Sequence, residues 1–527
     1  MEYYDPKEYD LAGRIAKLRT KNGTMETPYL FPVVDPTRQD VPLYVIDKMG
    51  FNAFITNAYL FYRRNRGRPK NIHDTLKWNK VIMTDSGGYQ VLVYGDIEID
   101  NKTIIEYEKQ IGVDIGVILD VPTGTKMSWE EARRAVFETF DRATEALPLI
   151  MDTDQLWVLP IQGAPYRDLV LYSSLRAWKY PYHIHALGSP TVLLERYDYA
   201  DIVELVALAR LHLPPQKPLH VFGVGHPMIL PFLVALGADL FDSASYILYA
   251  RDGRYMTETG TRRLDELTYL PCNCPVCSRY TLAELKSLKR KEQIKLLATH
   301  NLYVLMEELR KIKEHIKEGR LWEYLEYKSK AHPSLRSAFN IVKKYVRLLE
   351  KYNPLTKPNT FAIMMNDYDS LYHPRLRVIK KNVYDFVLSK LNLGNTIYLV
   401  PAIRKPYSNI IELVKEIIPG EKCLFYHPFL GVFPPSLSNT YPFFQHEYND
   451  NIDRYTIIES SNEIVDTIIK LKGIGKSMDE VIIYYVGDSW SESLSEAVCD
   501  MLLGHGIKCA RHTLDALVQS QPRPQEP

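Results

Sequence analysis

The sequence predicts an α/β chain built on a (β/α)8 TIM barrel, continued by a cysteine-bearing helical subdomain and then by smaller α+β domains. Three observations carry this. Eight short apolar or β-branched runs recur through the first 245 residues. Stretches of helical period lie between several of them. Past residue 270 the rhythm gives way to three cysteines within six positions and a long basic helical region. Strands buried on both faces and joined by helices form parallel sheets. Eight of them in about 220 residues indicate a barrel. An open doubly wound sheet is the second topology that the pattern allows.

The eight runs are residues 27–34, 52–57, 81–85, 115–120, 156–162, 182–188, 218–224 and 238–244. The clearest helices between them are SWEEARRAVFETFDRATEALPLI from Ser128, PYRDLVLYSSLRAWKY from Pro165 and ADIVELVALARLHL from Ala200. Residues 1–270 form the expected catalytic barrel. Residues 271–352 form its metal-binding and basic helical extension, and Pro354 and Pro358 mark a linker. Residues 353–515 read as an α+β region of one or two small domains, with NTIYLVPA and EVIIYYVGDS as strands and SESLSEAVCDMLLGHG as a helix. The turn Gly487-Asp488-Ser489 lacks the glycines and lysine of a nucleotide loop and reads as a structural strand-to-helix turn. Residues 516–527 read as a disordered tail.

Composition narrows the classes. Of 527 residues, 46% are hydrophobic and 24% charged, which excludes global disorder. No apolar run approaches the length of a membrane span, and the N-terminus has no secretory pattern. A cytoplasmic protein is expected. With 65 basic and 64 acidic residues the net charge is +1, so a polyanionic partner must be sought locally. Between Lys286 and Lys351 there are 17 Lys or Arg against 8 Asp or Glu, interleaved with Tyr303, Trp322, Tyr324, Tyr327 and Tyr345. Such a stretch suits a phosphate backbone, or else is a solvated helix face. Arg63, Arg64, Arg66, Arg68 and Lys70 follow the second run. They project from the face where a barrel keeps its active site, at the C-terminal ends of its strands.

Those ends carry Asp85, Asp120, Gln162, Gly188, Val224 and Asp242. A single aspartate there often caps a helix or starts a turn. Three carboxylates after apolar runs point instead to catalysis, because burying charge is costly. In MTDSGGYQ, Asp85 and Ser86 precede two glycines that let a planar ligand approach the backbone, and Tyr89 offers it a stacking face. Asp120 can accept the N1–H and amino hydrogens of guanine. Gln162, Gly163, Ala186, Leu187 and Gly188 can meet its O6 and N7.

Cys272, Cys274 and Cys277 form C-x-C-x2-C, a metal pattern before a disulfide pattern. With His300, 23 residues on, they complete a tetrahedral zinc site. Four protein ligands leave no open position, so one structural Zn2+ per chain is expected.

The strings MTDSGGYQ, ILDVPTG, PIQGAP, HALGSP, HVFGVGHP, ADLFDSASY and PCNCPVC, with His300, together resemble the tRNA-guanine transglycosylases over about residues 1–345. HALG, the helical extension and the large C-terminal region resemble the archaeal branch. That resemblance implies replacement of guanine-15 in the tRNA D-arm by preQ0, the precursor of archaeosine. It implies Asp242 as nucleophile, Asp85 as general base and Asp120 as base reader, although the roles of Asp85 and Asp242 can be exchanged. Such enzymes pair as homodimers. Archaeal members usually end in a basic PUA domain that is not legible here, so a separate PUA-domain protein is an expected partner. Tyr89 stands where the family often has Phe. The competing readings are a non-catalytic RNA-binding subunit, a queuine or preQ1-type transglycosylase, a zinc-dependent barrel hydrolase and the related archaeosine synthase. The three carboxylates disfavour the subunit. No histidine pair stands at the strand ends for a hydrolytic zinc.

Overall fold

The computed structural model describes residues 3–88, 99–188, 191–358, 361–415, 417–418, 422–474 and 478–515. The chain divides into two compact units, Met1–Tyr352 and Asn353–Pro527.

In the first unit the eight predicted runs all form strands of one parallel sheet: β1 (Tyr29–Pro32), β2 (Ala53–Asn57), β3 (Val81–Asp85), β4 (Ile115–Val117), β5 (Leu156–Ile161), β6 (Ile184–Leu187), β7 (Leu219–Val221) and β8 (Leu240–Ser243). Each pairs with its sequence neighbour and β8 returns to β1, from Leu240↔Tyr29 to Ser243↔Pro32. The ring is completed by a parallel bridge between Val33 and Ile55, where the Val34 N–H donates to the Ile55 carbonyl at 2.8 Å. This is the barrel, not the open sheet. At several ends the strands are one to three residues shorter than the apolar runs, most of all after β4 and β7, where residues 118–120 and 222–224 lie beyond the strand.

The three predicted helices are Trp129–Ile150, Arg167–Arg176 and Tyr199–His212. The first starts on a capping box, in which Ser128 and Glu131 satisfy each other's backbone N–H groups. The alternation of buried and exposed residues along it, with Ala132, Val136, Phe140 and Ala143 turned inward, is what a helix lying on a barrel requires. A three-stranded antiparallel sheet (Tyr4–Asp10, Gly13–Thr20 and Gly23–Thr27) precedes β1. It is pinned by Arg14, whose Nε and Nη2 donate to both oxygens of buried Asp239 at 2.8 and 2.9 Å just before β8. That bidentate pair holds the end of the barrel remote from the Asp85 loop.

After β8 come the helix Ser245–Arg251, a hairpin (Arg254–Thr257 with Gly260–Arg263), the cysteine loop and a 29-residue helix, Arg290–Glu318. Helices Leu321–Ser329, Pro333–Lys344 and Val346–Tyr352 complete the unit. Here the reading of an aromatic, basic nucleic-acid face needs correction. Trp322 and Tyr324 are buried, and Lys328 is fully buried between Glu308, at 3.1 Å, and the Glu258 carbonyl. Lys311 pairs with Glu258 and Glu307, Lys313 with Glu26, and Lys344 with Glu204. These four of the seventeen cations are therefore paired within this unit, which a count along the sequence does not reveal.

The second unit holds a five-stranded sheet. Thr396–Pro401 lies between Cys423–His427 and Glu480–Tyr485, all parallel. Lys508–Thr513 extends it in parallel and Gly431–Phe433 closes the other edge antiparallel. Helices Arg454–Gly473 and Trp490–Gly504 pack on each other. Ser489 caps the second of these by accepting from the Ser491 N–H, so Gly487-Asp488-Ser489 is the structural turn expected. One disulfide, Cys499–Cys509, ties that helix to the last strand. The tail expected at residues 516–527 lies outside the described residues. Among the described residues no helix is long and apolar enough to cross a membrane.

Candidate active site and metal cluster

Asp85 is the last residue of β3, and its register partner on β2 is Asn57. Asn57 Nδ2 donates to Asp85 Oδ2 at 3.3 Å, and the Gly87 N–H donates to Oδ1 at 3.3 Å. Gly87 has φ of 104°, a backbone state that glycine alone adopts readily, and this is what turns its N–H back onto the carboxylate. Two long hydrogen bonds do not offset the loss of water. Burial first, then the neighbouring charges of Asp120 and Asp242, push the Asp85 carboxyl up to about 7.

Asp120 follows β4 and is buried. Gln162, just past β5, donates Nε2 to Asp120 Oδ2, while its Oε1 accepts from the Thr123 N–H and hydroxyl at 3.1 and 3.2 Å. The amide is thus fixed in one orientation against Asp120. Burial raises the Asp120 carboxyl to about 6, and the Gln162 hydrogen bond holds it from rising further. Two glycines are required here by space. A Cβ on Gly88 would lie 2.2 Å from Asp120 Oδ1, and one on Gly188 would lie 2.2 Å from Gln162 Nε2.

Asp242 lies on β8, beside Phe31 of β1 in register. Its Oδ1 is held at 2.9 Å by His220 Nε2 and at 2.9 Å by the Gly223 N–H. The coulombic influence of Asp242 and Asp120 on Asp85 places the three carboxylates in one electrostatic neighbourhood at the barrel mouth.

Some predicted ligand-facing groups are already engaged. Ser86 is fully buried and its hydroxyl donates to the Ile118 carbonyl at 3.2 Å. The Gly163 N–H donates to Thr123 Oγ1 at 3.1 Å, and the Gly188 N–H to the Ile161 carbonyl at 3.0 Å. The Leu187 carbonyl accepts from the Phe222 N–H, and Ala186 is buried within β6. These residues build the wall rather than offer free donors. Tyr89 lies outside the described residues. Sequence reasoning passed over Asn57, Thr123 and His220. Asn57 ends its run as Asp85 ends the next, so the strand-end rule applied to Asn would have found it. His220 lies inside a strand and gives no such signal.

The cysteine cluster assembles as predicted. The ligand atoms of Cys272, Cys274, Cys277 and His300 all lie within 4.8 Å of one another. His300 Nδ1 is 3.4 Å from both Cys274 Sγ and Cys277 Sγ, and Nε2 donates to the Met256 carbonyl at 2.9 Å. That second bond fixes the tautomer with Nδ1 facing the sulfurs, as a metal-ligating histidine needs. Tyr255 stacks on the ring at 3.8 Å and its hydroxyl sits 3.2 Å from Cys277 Sγ. The donor set can hold a metal ion.

The family model described as "TGT: Queuine tRNA-ribosyltransferase" matches residues 10–334. The chain is 42% identical over 478 residues to the tRNA-guanine(15) transglycosylase of Aeropyrum pernix, which covers 90% of this chain and 93% of that protein. It is 41% identical over 467 residues to the protein of the same name from Sulfolobus acidocaldarius, covering 88% and 92%. With that of Methanocaldococcus jannaschii it shares 37% identity over 495 residues, covering 92% and 74%. The barrel, the carboxylate-lined mouth and the cysteine cluster all fall within the matched region, and the chain belongs to the tRNA-guanine transglycosylase family, of the archaeal type: it is a pentosyltransferase of the base-exchange class.

Proposed function

We propose that this chain exchanges guanine-15 of the tRNA D-arm for preQ0, in archaeosine biosynthesis. Breaking the glycosidic bond develops positive charge at C1′. In this reading Asp242 Oδ2 attacks C1′ as the bond to guanine N9 breaks, giving an aspartyl-ribose ester, and guanine leaves with the bonding electron pair and takes up a proton from solvent, to which Asp85 later returns the one it accepts. Asp85 then accepts the N9 proton of preQ0, whose N9 attacks C1′ and frees the Asp242 carboxylate. Covalent trapping by one carboxylate and proton transfer by another is the logic of retaining glycosidases. A base poised near neutral pH suits Asp85. Asp120 and Gln162 read the purine edge, and Tyr89 supplies its stacking face.

The observation that supports this is the gathering of Asp242 and an Asp85 whose carboxyl is pushed up by burial at one barrel mouth, in a chain whose relatives are named for guanine-15. The cysteine cluster holds one structural Zn2+. Arg63, Arg66, Arg68 and Lys70 are exposed on and after the helix following β2 and make no ion pair among the described residues. They are the phosphate contacts of this reading. A homodimer and a separate PUA-domain protein are its further partners, and a cytoplasmic location goes with its substrate. Exchange assays with tRNA carrying guanine or adenine at position 15, offered preQ0 or preQ1, test it. Uptake of preQ0 only with guanine-15 is expected. Preference for preQ1, or exchange elsewhere in the tRNA, contradicts it.

A further inference from the structure

His220 is fully buried inside the barrel, on β7, one layer below Asp242. Its ring stacks on Phe31 at 5.8 Å and 18° and packs against Phe222 at 4.6 Å. Nε2 lies 2.9 Å from Asp242 Oδ1, while Nδ1 has no hydrogen-bond partner among the described residues. A carboxylate only accepts, so Nε2 is the protonated nitrogen of this contact. The Gly223 N–H donates to the same oxygen from the loop after β7, also at 2.9 Å. Oδ1 therefore holds two donors, and Oδ2 accepts from none among the described residues.

We infer that His220 is a positioning residue for the exchange reaction, which selects Asp242 Oδ2 as the oxygen that attacks C1′. This rests on the proposed role of Asp242 as nucleophile. A free carboxylate rotates about its Cα–Cβ and Cβ–Cγ bonds, and either oxygen can attack. With Oδ1 bound from below by the imidazole and from the side by an amide, and the imidazole wedged between two aromatic rings, the group is locked with Oδ2 outward. The chemistry gives the contact a second consequence. When Oδ2 forms the bond to C1′, Oδ1 becomes the carbonyl oxygen of an ester, a weaker acceptor than a carboxylate oxygen. The two donors thus favour return of the carboxylate. They ease the second half-reaction, in which the incoming base displaces Asp242.

The test uses His220→Phe, which keeps the ring volume without the donor, and His220→Gln, whose side-chain amide restores an N–H near the same place. Misplacing a nucleophile costs about 100-fold in turnover. His220→Phe is expected to lose about that factor in kcat, with KM for guanine and affinity for tRNA nearly unchanged. His220→Gln is expected to recover most of the loss. The covalent tRNA adduct, read on denaturing gels, should also decay more slowly in His220→Phe when free base is added. Asp242→Ala is the control for the underlying reading. If Asp242→Ala forms no adduct and folded His220→Phe turns over at the wild-type rate, the role of His220 is overturned alone. If Asp242→Ala still forms an adduct, both the nucleophile assignment and the positioning role fall. If neither histidine variant folds, thermal melting will show it. In that case His220→Asn, too short to reach Oδ1 but polar, replaces His220→Phe under the same two outcomes.

Discussion

A Cβ placed on Gly88 would stand 2.2 Å from Asp120 Oδ1, so the glycine pair after Asp85 sets the position of a carboxylate that follows the next strand. Gly88→Ala should therefore displace Asp120 or the loop itself. Because Asp120 is tied to Gln162 and that amide to Thr123, the carboxylate cannot retreat freely. The expected result is a rise of about 10- to 100-fold in KM for guanine, the cost of losing one or two charge-assisted hydrogen bonds, with tRNA affinity unchanged. Steady-state kinetics with guanine varied at saturating tRNA checks this. An unchanged KM would remove Asp120 from base recognition.

Exchange should rise with pH toward a plateau. Asp85 must be ionised to accept a proton, and its carboxyl is held up to about 7. Asp120 must be ionised to accept two hydrogens from the purine, and it titrates near 6. The profile of kcat/KM should therefore fall below about pH 7 and steepen below about pH 6. A rate that stays flat from pH 8 to pH 5 would contradict both assignments.

The same shift affects stability. Folding favours the protonated form of Asp85, whose ordinary value is 3.8. Its favourable contribution is complete below about pH 4 and is lost as pH rises through about 7. Asp85→Asn should consequently melt at least about 2 °C higher than wild type at pH 8, the effect of about 1 kcal/mol in a large domain. The difference should vanish or reverse near pH 4. Melting curves at the two pH values decide this, and a variant less stable at pH 8 than at pH 4 relative to wild type contradicts the burial argument.

Removing the metal should loosen the fold rather than merely stop turnover. The four ligands join the cysteine loop to the long helix Arg290–Glu318, and His300 Nε2 fixes that helix to the hairpin through Met256. Closed thiolate sites contribute folding energy directly. About one zinc per chain is expected by elemental analysis, with loss of cooperative melting after chelation and weaker retention in His300→Ala. A metal-free protein with unchanged melting would exclude a structural ion.

Charge reversal or removal at Arg63, Arg66, Arg68 and Lys70 should weaken tRNA binding and flatten its salt dependence. Every phosphate that is no longer neutralised lowers the slope of log affinity against log salt by about 0.7 to 0.9. Titrations at several salt concentrations with the fourfold alanine variant read this. A slope equal to wild type would move the phosphate-binding surface elsewhere.

Much of this was legible in the sequence for physical reasons. The strands of a parallel barrel are buried on both faces, so each appears as a continuous apolar run, and the barrel rule sends attention to the residue that ends it. Asp85 is found in this way, and Asp120 and Asp242 from the same runs. The cysteines are found because metal ligands near in sequence leave a spacing. What remains hidden depends on pairings between distant segments. His220 reads as one more residue of an apolar strand until the register sets it under Asp242. Lys328 reads as a surface cation until Glu308 is seen to bury it. The engagement of the Gly163 and Gly188 N–H groups follows from barrel geometry that no local pattern records.

The central claim is that this chain, folded and metal-loaded, replaces guanine in tRNA through Asp242. The most direct measurement incubates it with tRNA and radiolabelled guanine and follows label into acid-precipitable RNA. The account predicts time-dependent incorporation, confined to position 15 and abolished in Asp242→Ala although that variant still binds tRNA. Absence of incorporation by well-folded wild-type protein, or incorporation that survives Asp242→Ala at an undiminished rate, would contradict it.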